Sequence, residues 1–133
     1  MKVVLDPNVI ISALLSPSGA PAQLVRFWVE GEFDLICSGR LLGELERAFA
    51  YPKLSKHIHQ DEAAAFVDLL RRSAVLVDDP ELLPSVLSPD PQDNYLIALA
   101  ETHRAVLVSG DQDLLSLSTV IPVFSPRAFL SQL

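Results

Sequence analysis

The chain has a single cysteine, Cys37, in 133 residues, which excludes an internal disulfide framework. With no second cysteine and only three scattered histidines, the sequence also offers no zinc site. No apolar run approaches the roughly 18–20 residues of a membrane span. The first residues already read as a strand, without the basic start and long apolar stretch of a signal peptide, so the expected location is cytoplasmic with no membrane partner. A Gly-rich phosphate loop is missing, which points away from nucleoside-triphosphate chemistry. Basic side chains are few, 10 against 17 acidic, for a net charge of −7. Such a chain repels phosphate at long range, which argues against a simple electrostatic nucleic-acid binder. The repulsion weakens if the acids are gathered around divalent cations, and an acidic field also suits a basic protein partner.

Half of the residues are hydrophobic, enough for one domain over 1–133 with a substantial core. No internal repeat, low-complexity tract or long linker interrupts it. Residues 2–6 read as a strand, 8–15 as a helix, and Ser16-Pro17-Ser18-Gly19 as a break. A helix over 21–30 carries Leu24, Val25, Phe27 and Trp28 as its apolar stripe. The pattern continues with a strand at 33–37, a Ser38-capped helix over 39–51 ended by Tyr51-Pro52, and a loop holding Lys53, Lys56, His57 and His59. A helix over 60–72 turns Ala64, Phe66, Val67 and Leu70 inward, and a strand follows at 74–77. After a Pro-bearing loop to residue 89 come a helix over 91–103, strands at 105–108 and 122–124, and a terminal helix over 126–133. Alternating strands and helices predict an α/β three-layer sandwich with a mostly parallel central sheet flanked by helices.

Function must then come from side chains, because this architecture hosts many activities. Asp6 ends the first strand, and ligands of open α/β sheets sit outside the carboxyl ends of the strands. Asn8 lies beside it. Glu44 is one turn into the helix after the second strand, Asp90 and Asp93 open the helix at 91–103, and Asp111 and Asp113 follow the strand at 105–108 across Ser109-Gly110. In a parallel sheet these positions lie along one edge and can meet in one cleft. Several carboxylates in one pocket raise each other's pKa values unless compensated. Mg²⁺ or Mn²⁺ supplies that compensation with carboxylate and water ligands alone. Such ions activate water and stabilise a leaving oxygen in phosphodiester hydrolysis.

Each acid also has a plainer reading. Asp90 with Pro91 reads as a helix start, Asp93 as a first-turn acid matched to the helix dipole, Asp111 as the cap of the turn at 113–115, and Glu44 as a solvated helix residue like Glu46. Asp6 is the hardest to read that way, being a charge attached to a buried strand. His57 and His59 read as a solvated loop, with RNA phosphate contact as the alternative. Arg26, Arg71 and Arg72 read as helix faces, Phe27 and Trp28 as core or interface, and Cys37 as a buried strand residue. Ser12 and Ser109 have no histidine partner placed by sequence, which argues against a serine nucleophile.

Four segments in order, Val3-Val-Leu-Asp6-Pro-Asn8 through Pro21, Leu41-Leu-Gly-Glu44-Leu, Asp90-Pro-Gln-Asp93-Asn94-Tyr-Leu-Ile-Ala and Val108-Ser-Gly-Asp111-Gln-Asp113-Leu-Leu, carry a family likeness over essentially the whole chain. The sequence resembles the PIN-domain family, in particular the toxin ribonucleases of prokaryotic toxin–antitoxin modules. The resemblance implies an endoribonuclease, a hydrolase acting on RNA with one or two Mg²⁺ or Mn²⁺ ions. It implies Asp6, Glu44, Asp93 and Asp111 as catalytic and metal-site acids, Asp113 and Asp90 as further metal helpers, and Asn8 and Ser109 as polar support. It also implies a homodimer or higher homo-oligomer and a cognate antitoxin.

One position departs from the family pattern, which usually has threonine between Asp6 and Asn8. Here Pro7 removes a hydroxyl and a backbone N–H donor at the edge of the site. Pro7→Thr is therefore expected to raise nuclease activity. The competing reading is a catalytically weak or inactive PIN-like module that binds RNA or serves as a scaffold, for which Pro7 is the main sequence support. A phosphotransfer or receiver domain with Asp6 as nucleophile needs a lysine to steady the phosphoryl group, and Ser73–Leu133 contains none.

Overall fold

The computed structural model describes residues 1–133. Its elements are β1 (Lys2–Leu5), α1 (Pro7–Leu15), α2 (Ala20–Val29), β2 (Asp34–Ser38), α3 (Gly39–Ala50), α4 (Pro52–Ser55), α5 (Gln60–Ser73) and β3 (Val75–Val77). A 3-10 turn at Pro91–Asp93 then leads into α6 (Asn94–His103), β4 (Val106–Val108), α7 (Gln112–Leu115), β5 (Val123–Phe124) and α8 (Pro126–Leu130). The five strands form one all-parallel sheet in the order β3-β2-β1-β4-β5, which makes the molecule a three-layer α/β sandwich. No helix is long and apolar enough to cross a membrane.

The strand order explains where a site can form. The connections from β1 to β2 and β2 to β3 step one way across the sheet, whereas β4 is reached by crossing back over β1. Right-handed crossovers then place the helices of the two halves on opposite faces. The direction in which successive strands are added reverses between β1 and β4, and the crevice of an open α/β sheet lies at such a switch point. The β1–β4 register pairs Val3 with Val106, Val4 with Leu107 and Leu5 with Val108. The Asp6 N–H donates to the Val108 carbonyl at 2.9 Å, carrying the ladder one residue past the strand end.

β1 is the middle strand and has helices over both faces, so Val3, Val4 and Leu5 are all fully buried. This accounts for an unbroken apolar run rather than an alternating one. Burial of each such side chain contributes about 1.5–3 kcal/mol. A core of 32 buried residues continues through Leu24, Leu45, Leu70, Leu99 and Phe129. Cys37 is part of it, and burial pushes its thiol up to about 12, which keeps it inert.

Some local expectations shift. The inward face of α5 is Ala63, Phe66, Val67 and Leu70, while Ala64 is exposed. Position 63 precedes Phe66, Val67 and Leu70 at spacings of three, four and seven, and position 64 falls 100° off that stripe. The loop after α3 contains the helix α4, because Pro52 ends α3 and is itself suited to a first helical position. His57 and His59 are exposed there, but Ile58 between them is buried. The second strand runs one residue later than expected, and Ser38 both ends it and caps α3 through Oγ, which accepts the Leu41 N–H at 3.3 Å. The helix expected over 91–103 is divided into the 3-10 turn and α6, and the last helix stops at Leu130.

Candidate functional site

Asp6 occupies the N-cap of α1 at the carboxyl end of β1 and is only 4% exposed. Its Oδ1 accepts the Asn8 backbone N–H at 3.0 Å and its Oδ2 accepts the Ser109 hydroxyl at 2.7 Å. Burial raises the carboxyl above its ordinary pKa. The Asn8 and Ser109 bonds oppose that rise, and the Asp111 and Glu44 charges add to it. The two bonds hold the carboxylate in one orientation. Pro7 does not disturb them, since it sits at the first position of α1, where a backbone N–H has no intrahelical partner. The proline ring also limits the unfolded chain. Pro7→Thr should therefore lower stability by about 0.5–1 kcal/mol in urea unfolding. With Asp6 already held, any gain in cleavage by that variant comes from the hydroxyl; cleavage no higher than wild type would dismiss the hydroxyl's importance.

Ser109 is fully buried and joins two of the acids. Its Oγ donates to Asp6 and accepts the Asp111 N–H at 3.0 Å. Asp111 is the N-cap of α7, with Oδ1 accepting the Asp113 N–H at 2.8 Å. Asp90 caps the 3-10 turn by accepting the Gln92 N–H at 3.0 Å. The capping expected of Asp90 and Asp111 is thus present, alongside their position at the acidic centre. Asn8 contributes its backbone N–H, while its side chain is exposed.

Asp93 shows the strain of the assembly most clearly. Desolvation, then the charges of Asp111, Asp6 and Asp90, push its carboxyl up to about 7. Its Oδ2 is buried without a hydrogen-bond partner. Asp93 and Asp111 can bond each other only when one of them holds a proton, because two ionised carboxylates are both acceptors. Oxygens of Asp90, Asp93 and Asp113 lie within 4.8 Å of one another. A buried, unpartnered oxygen beside converging carboxylates fits a hard divalent cation. The donors are all oxygen, with no histidine or thiolate, which matches Mg²⁺ or Mn²⁺ rather than zinc or copper.

Glu44 approaches from α3, and its Oε2 accepts the Tyr95 hydroxyl at 2.7 Å. Burial first, then this bond and the Glu44 charge, drive the Tyr95 phenol upward, so it stays a donor. The Arg40 guanidinium lies 4.3 Å from the centre of the Tyr95 ring, bringing a cation to the rim of an acidic centre. Neither Tyr95 nor Arg40 stands out in the sequence. Tyr95 begins an apolar helical run and reads as core; its place two residues after Asp93 is the only local hint. Glu46, on the same helix as Glu44, faces away and pairs with Arg71 at 2.9 Å.

The sequence pattern of the PIN domain matches residues 2–113. An uncharacterized protein of Methanocaldococcus jannaschii is 31% identical over 117 residues, covering 88% of this chain and 75% of that protein. Among solved structures, the crystal structure of VapBC2 from Rickettsia felis bound to a DNA fragment from their promoter aligns with a TM-score of 0.63. That alignment covers 94% of this chain and 98% of the other at 12% identity, a likeness of fold.

Proposed function

This chain belongs to the PIN domain family, whose members are generally nucleases, and we propose that it is a divalent-metal-dependent endoribonuclease, the toxin of a toxin–antitoxin module. The observation that carries the reading is the convergence of acids from separate elements on one strand edge, with the Asp93 oxygen buried and unpartnered among them. Asp6, Glu44, Asp93 and Asp111 would hold one or two Mg²⁺ or Mn²⁺ ions, with Asp90 and Asp113 as further ligands. When bound, the ions supply a nucleophile at neutral pH and charge stabilisation for a phosphodiester in displacement. Ser109 and the Asn8 N–H fix Asp6, and the Tyr95 hydroxyl fixes Glu44. Held carboxylates reorganise little during reaction, the condition under which electrostatic stabilisation is largest. Arg40 offers a positive charge to an RNA phosphate beside the centre.

The toxin role draws on the VapBC2 likeness of fold and on the net charge of −7, which suits a basic antitoxin. Assembly as a homodimer or higher homo-oligomer and a cytoplasmic location belong to the same proposal. The test is incubation of total RNA with the purified protein in Mg²⁺, in Mn²⁺ and in EDTA, with fragment ends mapped. Fragments are expected with either ion and none in EDTA. Cleavage that persists in EDTA would sink the metal mechanism, and a protein inert with both ions would favour a scaffold role. Induced expression should arrest growth, and co-expression of a basic partner encoded beside it should relieve the arrest.

A further inference from the structure

We infer that a pocket of about 350 Å³ beside the acidic centre seats one nucleoside of a single-stranded RNA, next to the phosphate to be cut. The inference rests on the nuclease reading above and adds to it where the strand lies. The pocket opens between the start of α1, the start of α2 and the start of α8, and it shares Asp111 with the acidic centre. Its other walls include Asn8, Ser12, Pro21, Gly110 and Pro126. A ligand in it is therefore contiguous with whatever the acids act on. A cavity of similar size near Glu101 and Arg104 lies at the opposite ends of the strands and lacks that continuity.

Three features select a nucleoside. The volume is at the small end of ligand pockets, enough for one splayed base and sugar but not for a duplex. The Asn8 carboxamide and the Ser12 hydroxyl are exposed and make no side-chain hydrogen bond within the chain, so both remain available to a base edge or a 2′-hydroxyl. Pro21 and Pro126 add apolar surface for the face of a base. In a chain of net charge −7, neutral contacts of this kind must supply much of the affinity that phosphate contacts supply elsewhere.

Gly110 is the lining position at which the pocket can be filled. Its backbone is outside the left-handed region, and a Cβ built there would meet nothing within 4 Å. Neither turn geometry nor packing requires glycine at this position. Gly110 lines the pocket beside Asp111, and a side chain added there has open space around it.

Gly110→Leu should fill the pocket with the acids and the fold unchanged, and Ser12→Leu should do so from another lining position. Both are made in an Asp6→Asn background that does not cut. Binding of a fluorescein-labelled ten-nucleotide RNA is read by anisotropy with Mn²⁺ present. Each variant is expected to bind at least about tenfold more weakly than its parent, a loss of about 1.4 kcal/mol, with Mn²⁺ affinity by calorimetry and thermal midpoint unchanged. With Asp6 intact, Gly110→Leu should also change the nucleotide preferred at the cut. RNA binding within twofold of the parent for both variants, with the same cut preference, overturns the inference and leaves the nuclease reading intact. A parent that binds RNA and loses it on filling, in a protein that never cuts, overturns the nuclease reading and leaves the pocket. No RNA binding by the parent overturns the inference as well.

Discussion

Asp6→Asn is expected to lower RNA cleavage by about 10³-fold or more while leaving the protein folded and at least as stable as wild type. The activity loss follows from the proposed mechanism: Asp6 is the one acid fixed by two hydrogen bonds at the sheet's switch point, and removing its charge would take away a metal ligand and field at the reacting phosphate. A loss of that size corresponds to about 4 kcal/mol of transition-state stabilisation. The stability side follows from burial. Asp6 is desolvated and its carboxyl is raised, so the charged form is disfavoured in the folded state. An amide of the same shape still accepts the Asn8 N–H and still meets Ser109. Cleavage assays with a thermal melt on the same preparation check both halves. Retention of a tenth of the activity would rule out Asp6 as the anchor of the centre, and a collapsed melt would make it a structural cap.

Asp93→Asn should have effects of opposite sign on activity and stability. Cleavage is expected to fall by about 10²–10³-fold, since the proposed mechanism makes Asp93 a metal ligand and the substitution turns its carboxylate into a neutral amide. In EDTA at pH 8, however, the variant should melt higher than wild type. The sign follows from proton binding: Asp93 is raised from 3.8 to about 7 in the folded protein, so between those values the folded state binds more protons than the unfolded one. Metal-free wild type therefore loses stability as pH rises from about 4 to about 7 and levels off above that. The Asp93→Asn protein lacks this contribution and keeps only the one from the raised Asp6 carboxyl, and the new amide can donate to the Asp111 carboxylate. The residue is partly exposed, and solvent screening reduces the difference at pH 8 to about 1–2 kcal/mol, a rise of about 3–8 °C. At pH 4 the two proteins should converge. Mn²⁺ should stabilise wild type far more than the variant at pH 8, because the ion neutralises the repulsion that the substitution removes. A variant that melts lower than wild type in EDTA at pH 8 would show that Asp93 supports the fold rather than strains it.

Much of the fold is legible in the sequence because its signals are local. Val3-Val4-Leu5 reads as a buried strand, and the Asp111 and Asp90 caps and the proline break after Tyr51 need only neighbouring residues. The misreadings are equally local. Ala63 and Ala64 are chemically identical neighbours, and only the helical spacing to Phe66, Val67 and Leu70 separates the inward one from the exposed one. The loop after α3 reads as polar and solvated, and Ile58 is drawn in by packing that sequence spacing does not report.

The candidate site divides in the same way. The carboxylates themselves, at the ends of strands and starts of helices, follow from chain order and the parallel architecture. Their supports do not. Ser109 reaches Asp6 across 103 positions because the chain crosses back over β1 to lay β4 beside it. Tyr95 reaches Glu44 across 51 positions and looks like core until α3 and α6 are set around the same strand edge. The pocket beside Asp111 is likewise a property of helix starts that the fold brings together. By itself, the sequence determined the alternation of elements, the all-carboxylate chemistry and the edge on which it falls, since propensity, capping and side-chain type act over a few residues. The tertiary structure alone decided which acids crowd Asp93, which hydroxyl holds Asp6 and Glu44 and where a pocket remains, because those depend on distances between segments that only the strand order brings together.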